Sequence, residues 1–478
     1  VTRRPILSGL VPLLLAGCAS VPHVEPQVTP VAPTSLGLGD EVPTVAADWW
    51  RAFNDPQLDR LEAAALAGNP RLEAAEARLR EAEAAIGVTR AAGEPQIGAN
   101  AQVTRQRFSE NATVPPPYGG STRWLPQLGA TLDWDLDLFG RVKAGVRQAE
   151  AEAAAARYDT AAARLTLSAA VAQTYVALAR AEAQIAVADR FVDTRQQALS
   201  LAQTNVNSGL ASDFELQQSR TLLAEAEQAR ALAVASREVV VHALAALVGR
   251  GADFHGEISP PVLALGDPPA VPAMLPADLL ARRPDILAAR ARITAASAGR
   301  EAVRADFLPN INISALAGLA SVGFSHLFEG GSAQYAAGPA IHLPIFEGGR
   351  LQARYKGATA AVEEYGAEYN ATVLDAVRDT ADAITRVGAA DRELADQQRI
   401  VGGLRETLRL NQVRVDTGLA SRIDTLESGF RLLAAEQSLV DLQADALTRR
   451  IQLLAALGGG FDSTAGGLAA TDFAEPQS

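Results

Sequence analysis

The sequence predicts a mainly α chain with a transmembrane β part. It is built as a duplicated unit, with four β-strands plus long antiparallel coiled-coil helices. Three observations predict this. Lys143 to Asn207 is a run of 65 residues without proline, carrying Val171, Leu178, Ile185, Val192, Leu199 and Val206 at steps of seven. The design returns 209 residues later in Val387, Leu394, Val401, Leu408 and Val415. Between these helical stretches, each half holds a pair of segments in which apolar and polar residues alternate.

A seven-residue apolar repeat keeps one seam against a partner helix and supercoils the pair to the left. At about 1.5 Å per residue the first run is on the order of 100 Å long, too long for a compact core. It stops at Asn207-Ser208-Gly209-Leu210-Ala211-Ser212, where Gly209 suits the left-handed conformation that ends a helix. A second run, Asp213 to Val248, follows at once, so the two form an antiparallel hairpin. The second half reaches Asp416-Thr417-Gly418-Leu419-Ala420-Ser421, repeating Gly-Leu-Ala-Ser at the same offset. Farther upstream the offset is 214, matching Pro70 with Pro284, Pro95 with Pro309 and Ile97 with Ile311. A repeat of this kind governs the fold and is read before any motif.

Composition narrows the function classes. The net charge is −12, which argues against a nucleic-acid binder. Only the N-terminus has a long apolar run, so no transmembrane helix is expected beyond it. Residues 1–17 read as an export signal, with Arg3 and Arg4 before the apolar run Ile6 to Leu15. Leu15-Ala16-Gly17-Cys18 resembles the bacterial lipoprotein box, which implies cleavage and acylation at Cys18. Ala19, by the same resemblance, favours sorting to the outer membrane. Cys18 is the only cysteine, and carrying lipid would leave no thiol for metal or redox chemistry. Residues 18–47, with Pro22, Pro26, Pro30, Pro33 and Pro43, read as an extended tether.

The first repeat is expected over 48–251, opening with helices at about 56–67 and 70–93. After Pro95 the period changes to two, and a β-hairpin is predicted over about 96–138. Ile97, Ala99, Ala101 and Val103 share one face; Leu128, Ala130, Leu132, Trp134, Leu136 and Leu138 continue it past a Pro/Gly loop. Gln127, Thr131, Asp133, Asp135 and Asp137 face the other way. A long helical hairpin follows over 141–250, then a proline-rich crossover linker at 252–277. The second repeat, 278–457, has a helix, a β-hairpin at about 309–346 and a helical hairpin at 350–457. Residues 458–478 read as a disordered tail.

Strands of about ten residues with one apolar face suit a membrane span. A pair of soluble hairpins is the plainer alternative, but no further strands are available to build a sandwich. Four strands cannot close a barrel, and lipid does not tolerate an open sheet edge. If the strands span a membrane, the chain must therefore oligomerise. Trp124, Trp134, Phe108 and Tyr335 are candidates for interfacial aromatic girdles.

Enzyme signals are poor. His23, His242, His255, His326 and His342 have no metal-ligand spacing, and no phosphate loop or nucleophile elbow is present. No cofactor is expected.

Leu280-Ala281-Arg282-Arg283-Pro284-Asp285-Ile286, Asp137-Leu138-Phe139-Gly140-Arg141 and Phe346-Glu347-Gly348-Gly349-Arg350 resemble the TolC-like outer-membrane efflux proteins, in the NodT-type lipoprotein branch. The resemblance covers roughly residues 48–457. It implies a homotrimer in which a twelve-stranded β-barrel in outer-membrane lipid continues into a twelve-helix periplasmic barrel. It also implies a periplasmic adaptor and an inner-membrane pump, commonly of the resistance-nodulation-division class. By position, the adaptor-docking tips would be Gly209, Leu210, Ala211, Ser212, Gly418, Leu419, Ala420 and Ser421. Asp424 and Glu427 fall where the family places acidic rings at a periplasmic gate, and Ile423 where an apolar gate residue occurs. The first-repeat equivalents are Glu215 and Gln218. The tyrosine and arginine that lock some relatives are matched by Val415 and Ala420, so the resemblance favours an apolar and acidic constriction over a salt-bridge lock. An exit duct for secreted protein, and a purely structural coiled-coil periplasmic lipoprotein, stay open beside the efflux reading.

Overall fold

The computed structural model describes residues 21–31, 36, 45–111, 113–266, 269, 271 and 283–461. Helices α1 (Pro56–Gly68) and α2 (Pro70–Ala91) lead into strands β1 (Gln96–Arg107) and β2 (Thr122–Asp135). Helices α3 (Arg141–Asn207) and α4 (Asp213–Leu247) complete the first repeat. The second runs α5 (Pro284–Ala305), β3 (Asn310–Ala320), β4 (Ala333–His342), α6 (Arg350–Asp416) and α7 (Arg422–Ala456). Cys18 and residues 462–478 lie outside the described residues, as does the Leu280-Ala281-Arg282 part of the second-repeat motif.

The chain divides into two bodies, and each draws on both repeats. The repeats are therefore interleaved rather than side-by-side domains. The first body, described over 21–30, 78–157 and 288–370, holds all four strands. They form one antiparallel sheet in the order β1-β2-β3-β4, which leaves β1 and β4 as edges. The register aligns the apolar residues row by row. Ile97 lies opposite Leu132, which lies opposite Ala315 and then Ala337; Ala101, Leu128, Leu319 and Ala333 form a second such row. Because strand side chains alternate with period two, one face is apolar from Ile97 to Val103 and across its partners, with Arg105 and Arg107 only at its far end, and the other carries Gln96, Asn100, Thr131, Asp133 and Ser314.

Trp124 and Trp134 mark the two ends of that face, whereas Tyr335 lies in its middle, in the row of Ala99, Ala130 and Ala317. Trp124 sits 6.3 Å from Phe324 and beneath the Arg105 guanidinium, while Trp134 donates its indole N–H to Gly93 O at 3.0 Å. The alternation ends earlier than the sequence suggests. β2 stops at Asp135, and Asp137 turns the chain with φ of 45°, so Leu136 and Leu138 lie beyond the strand. The Asp137 carboxylate then accepts the Val142 and Lys143 N–H groups at 2.8 Å each, capping α3.

Residues 21–30 form neither helix nor strand, with Val24 N–H turning back to Pro22 O at 3.1 Å, and they pack against α5 and α6. Val21 and Val24 cover a core of Phe307, Leu351 and Tyr355. Arg300 donates to Val24 O at 2.6 Å, and Asn370 donates to Thr29 O at 2.9 Å.

The second body, described within 31–77, 158–271 and 283–287 and from 371 onward, is helical. Its main core joins Trp49, Phe53, Leu58 and Leu61 to Tyr175 and Leu178 of α3, Leu244 of α4, and Leu447 and Ile451 of α7. Asp55 caps α1 through the Gln57 N–H and also accepts from Tyr175 Oη at 2.7 Å. The backbone N–H groups of Val262 and Leu263 complete the set at 2.8 and 3.0 Å, stitching the crossover linker to α1. Burial pushes the Tyr175 phenol up, and the neighbouring Asp55 adds to the shift.

Candidate functional site

The predicted tips are the two bends of the helical hairpins, and they are built alike. Gly209 and Gly418 take φ of 69° and 75°, a conformation that glycine adopts without strain. Leu210 N–H donates to Asn205 O at 2.8 Å and Gly209 N–H to Val206 O at 3.0 Å. Leu419 and Gly418 repeat this pair on Arg414 O and Val415 O at 2.7 and 3.0 Å. This double closure satisfies the last carbonyls of each helix.

Ser212 and Ser421 then start α4 and α7 through capping boxes. Glu215 accepts the Ser212 N–H at 2.7 Å, and Asp424 accepts the Ser421 N–H at 2.9 Å. The sequence signal for both boxes, Ser-x-x-Glu and Ser-x-x-Asp, is visible at 212–215 and 421–424 and gives Asp424 a structural task that position alone does not reveal. Glu427 accepts from Arg431 one turn on, at 2.9 Å. Both candidate gate acids therefore have a local partner and remain exposed.

Such tight backbone closure leaves the tip side chains outside. Leu210 is 79% exposed and Leu419 72%, with Phe214 and Ile423 exposed beside them. Below the tips the heptad seam is progressively covered. Val415 and Leu408 are half-buried, whereas Val401, Leu394 and Val387 are buried.

The polar ties between α7 and α3 thin out toward the tip, where Asn411 of α6 still donates to Ser428 Oγ. Asp441 accepts from Arg180 and Gln184 of α3 at 2.8 and 2.6 Å. Glu436, 8% exposed, accepts from Arg190 of α3 at 2.5 Å and from Arg405 of α6 at 2.8 Å. Nearer the tip, Arg195 stacks on Phe430 with its guanidinium carbon 3.6 Å from the ring centre. Sequence reasoning missed this ladder, because its partners are 246 residues or more apart for each α3–α7 ion pair.

Among the described residues no helix is long and apolar enough to cross a membrane, and no group of three or more histidines and carboxylates could hold a metal ion. Residues 61–250 and 275–459 match the outer membrane efflux protein family. The chain belongs to that family.

The fusaric acid resistance protein FusA of Burkholderia cepacia is 33% identical over 470 residues, covering 95% of this chain and 87% of that protein. The multidrug resistance outer membrane protein MdtP of Escherichia coli K12 is 31% identical, covering 94% and 95% of the two chains. Among solved structures, VceC of Vibrio cholerae superposes with a TM-score of 0.79 at 32% identity, over 87% of this chain and all of that one. The open state of the MtrE channel of Neisseria gonorrhoeae gives a TM-score of 0.75 at 27% identity, over 93% and 98%. This outer membrane efflux protein has the TolC-like channel fold and acts as an outer-membrane efflux channel of a Gram-negative bacterium. The family is one of channel-forming transport ducts.

Proposed function

We propose that the chain works as a homotrimeric, lipid-anchored exit duct that carries small molecules passively from a periplasmic adaptor and inner-membrane pump to the exterior. One observation carries the reading: a four-stranded sheet with one face apolar between Trp124 and Trp134 and two unpaired edges. Hydrocarbon does not solvate an unpaired backbone edge, and three copies supply twelve strands that close on one another. Trp124 and Trp134, ten residues apart on β2, bracket about 33 Å of strand, which at a tilt near 40° spans about 25 Å of lipid. Cys18 lies three residues before Val21, which packs close to the start of β3, so an acyl chain there would reach the same membrane.

The paired tips supply docking surfaces for the adaptor, with Leu210 and Leu419 as apolar anchors. Gly209, Ala211, Ser212, Gly418, Ala420 and Ser421 fix their presentation. Ile423, Asp424 and Glu427 of three copies form the periplasmic gate, which adaptor docking widens by moving the tip of α7 outward. The solved open state of MtrE supports a channel of this fold having more than one aperture. A pump of the resistance-nodulation-division class is the proposed energy source, in keeping with the multidrug and solvent efflux named for the relatives.

Planar-bilayer recording tests the gate. The double variant Asp424→Ala/Glu427→Ala is expected to conduct several-fold more than the parent and to lose block by divalent and trivalent cations. Unchanged current and unchanged block would remove these acids from the gate.

A further inference from the structure

Only three charged side chains share the polar face of the sheet: Arg123, Asp133 and Asp135, all on β2. They are not equivalent. Asp135 is neutralised, accepting from Arg141 at 2.6 Å and from Asn310 at 3.2 Å. Asp133, one step along the same face, has no ion pair among the described residues. Its cross-strand neighbours are the uncharged Gln96 and Ser314. Arg123 stands at the other end of β2 opposite Gln106, with Nε donating to Ser121 Oγ at 3.3 Å and no carboxylate partner among the described residues. Two uncompensated charges of opposite sign are therefore held about 33 Å apart along one strand.

The topology assigns an end to each. Asp133 lies beside the β2–α3 junction, and Arg123 lies beside the loop joining β1 to β2. Because the opposite face is the apolar one, both charges face the aqueous lumen once the sheet closes in lipid.

We propose that Asp133 and Arg123 set the ion selectivity of the barrel, making it a bipolar conduit with an anionic periplasmic mouth and a cationic outer mouth. The inference rests on the trimeric barrel proposed above, in which each residue becomes a ring of three. A ring of like charge concentrates counter-ions and excludes co-ions within about one screening length, roughly 10 Å at 0.1 M salt and 30 Å at 0.01 M. When the periplasmic side is positive, cations enter through the Asp133 ring while anions enter through the Arg123 ring. Each ion then meets the mouth that favours it, and the lumen fills with carriers. The reverse polarity draws each ion in through the mouth that excludes it, and the lumen is depleted. Amphiphilic cations are accordingly favoured at the periplasmic entry of the barrel and retarded at its exit, and anions the reverse.

Single-channel recording of the full-length protein decides the matter, using potassium chloride at 10 mM and at 1 M. Insertion is from one side, in the parent and in the Asp424→Ala/Glu427→Ala background. At 10 mM the rectification ratio should fall about twofold in Asp133→Asn/Arg123→Gln, since screening then spans the lumen. Asp133→Asn alone should lower the cation-to-anion permeability ratio, and Arg123→Gln alone should raise it. At 1 M all variants should coincide, because the screening length falls to about 3 Å. Heat-resistant trimers in detergent confirm assembly of each variant, and Asp133→Ser repeats the test with a second uncharged side chain. Rectification and permeability ratios at 10 mM that match the parent in all three variants would overturn the assignment while leaving the barrel intact. A parent that forms no channels would remove the barrel reading itself and this inference with it.

Discussion

Replacing Glu62 with glutamine should raise the thermal stability of the helical body by an amount that grows with pH. Glu62 lies on α1 and is 0% exposed, and neither carboxylate oxygen has a hydrogen-bond donor in ordinary geometry. Burial pushes its carboxyl up to about 8; Asp59 one turn away adds to the shift, and the nearby Ser168 hydroxyl opposes it. The folded state therefore keeps a proton that the unfolded chain releases near 4.5. Below that value both states are protonated and the side chain carries no ionisation penalty. As pH rises from about 4.5 to 8, the unfolded state alone ionises and stability falls, by on the order of 3 kcal/mol at pH 7. Above about 8 the folded state ionises too and the loss levels off.

Thermal unfolding of parent and Glu62→Gln at pH 4 and pH 8 isolates the effect. Any fixed cost of burying the amide appears equally at both values, whereas the titrating part appears only at the higher one. The gap between the two proteins should widen by several degrees between the two measurements. Parallel behaviour would show that Glu62 finds a proton donor or counter-charge when the protein is assembled.

Glu62 also shows where sequence reading stops. On α1 it is one carboxylate among many, and nothing in Leu61-Glu62-Ala63 distinguishes it from the solvated acids of α2. Its environment is supplied by α3, about a hundred residues away. The heptads were legible for the opposite reason: Val171, Leu178, Val387 and Leu394 repeat a local period, and burial follows it. Strand alternation was legible too, since Leu128, Ala130, Leu132 and Trp134 obey a period set by the backbone itself. The end of β2 was not, because Leu136 and Leu138 keep the alternation while Asp137 bends the chain. At the tips, Gly209 and Gly418 announced the turns, and Ser421-Arg422-Ile423-Asp424 carries a capping signal that the gate assignment of Asp424 overlooked. The seat of residues 21–30 on α5 and α6 had no local signal, since proline restricts the backbone without naming what it lies against.

Glu436→Ala should loosen the second hairpin more than any other single change along its ladder of contacts. Among the described residues, Glu436 is the one carboxylate that ties α7 to α3 and α6 together, through Arg190 and Arg405. Its removal leaves two guanidinium groups without their acceptor. Both are about half exposed, so water recovers part of their solvation, and the expected loss is about 2 kcal/mol rather than the 3–5 of a fully buried pair. Mechanically the effect is larger than that figure suggests. Beyond Glu436, the α3 contact nearest the tip is the stacking of Arg195 on Phe430, and residues 422–427 have no hydrogen bond or ion pair to α3 among the described residues. Without Glu436 the arm that carries Ile423, Asp424 and Glu427 keeps only that stacked pair as a tie to α3 until Asp441, although Asn411 and Gln397 of α6 still donate to Ser428 Oγ and Ala435 O. Limited proteolysis should therefore cut the Gly418 tip faster in Glu436→Ala, and basal current in a bilayer should rise in step. Glu436→Gln, which keeps the packing and one acceptor oxygen, should fall between the two. If cleavage accelerates while current stays at the parental level, the arm moves without widening the pore, and the constriction must lie elsewhere than at Asp424 and Glu427.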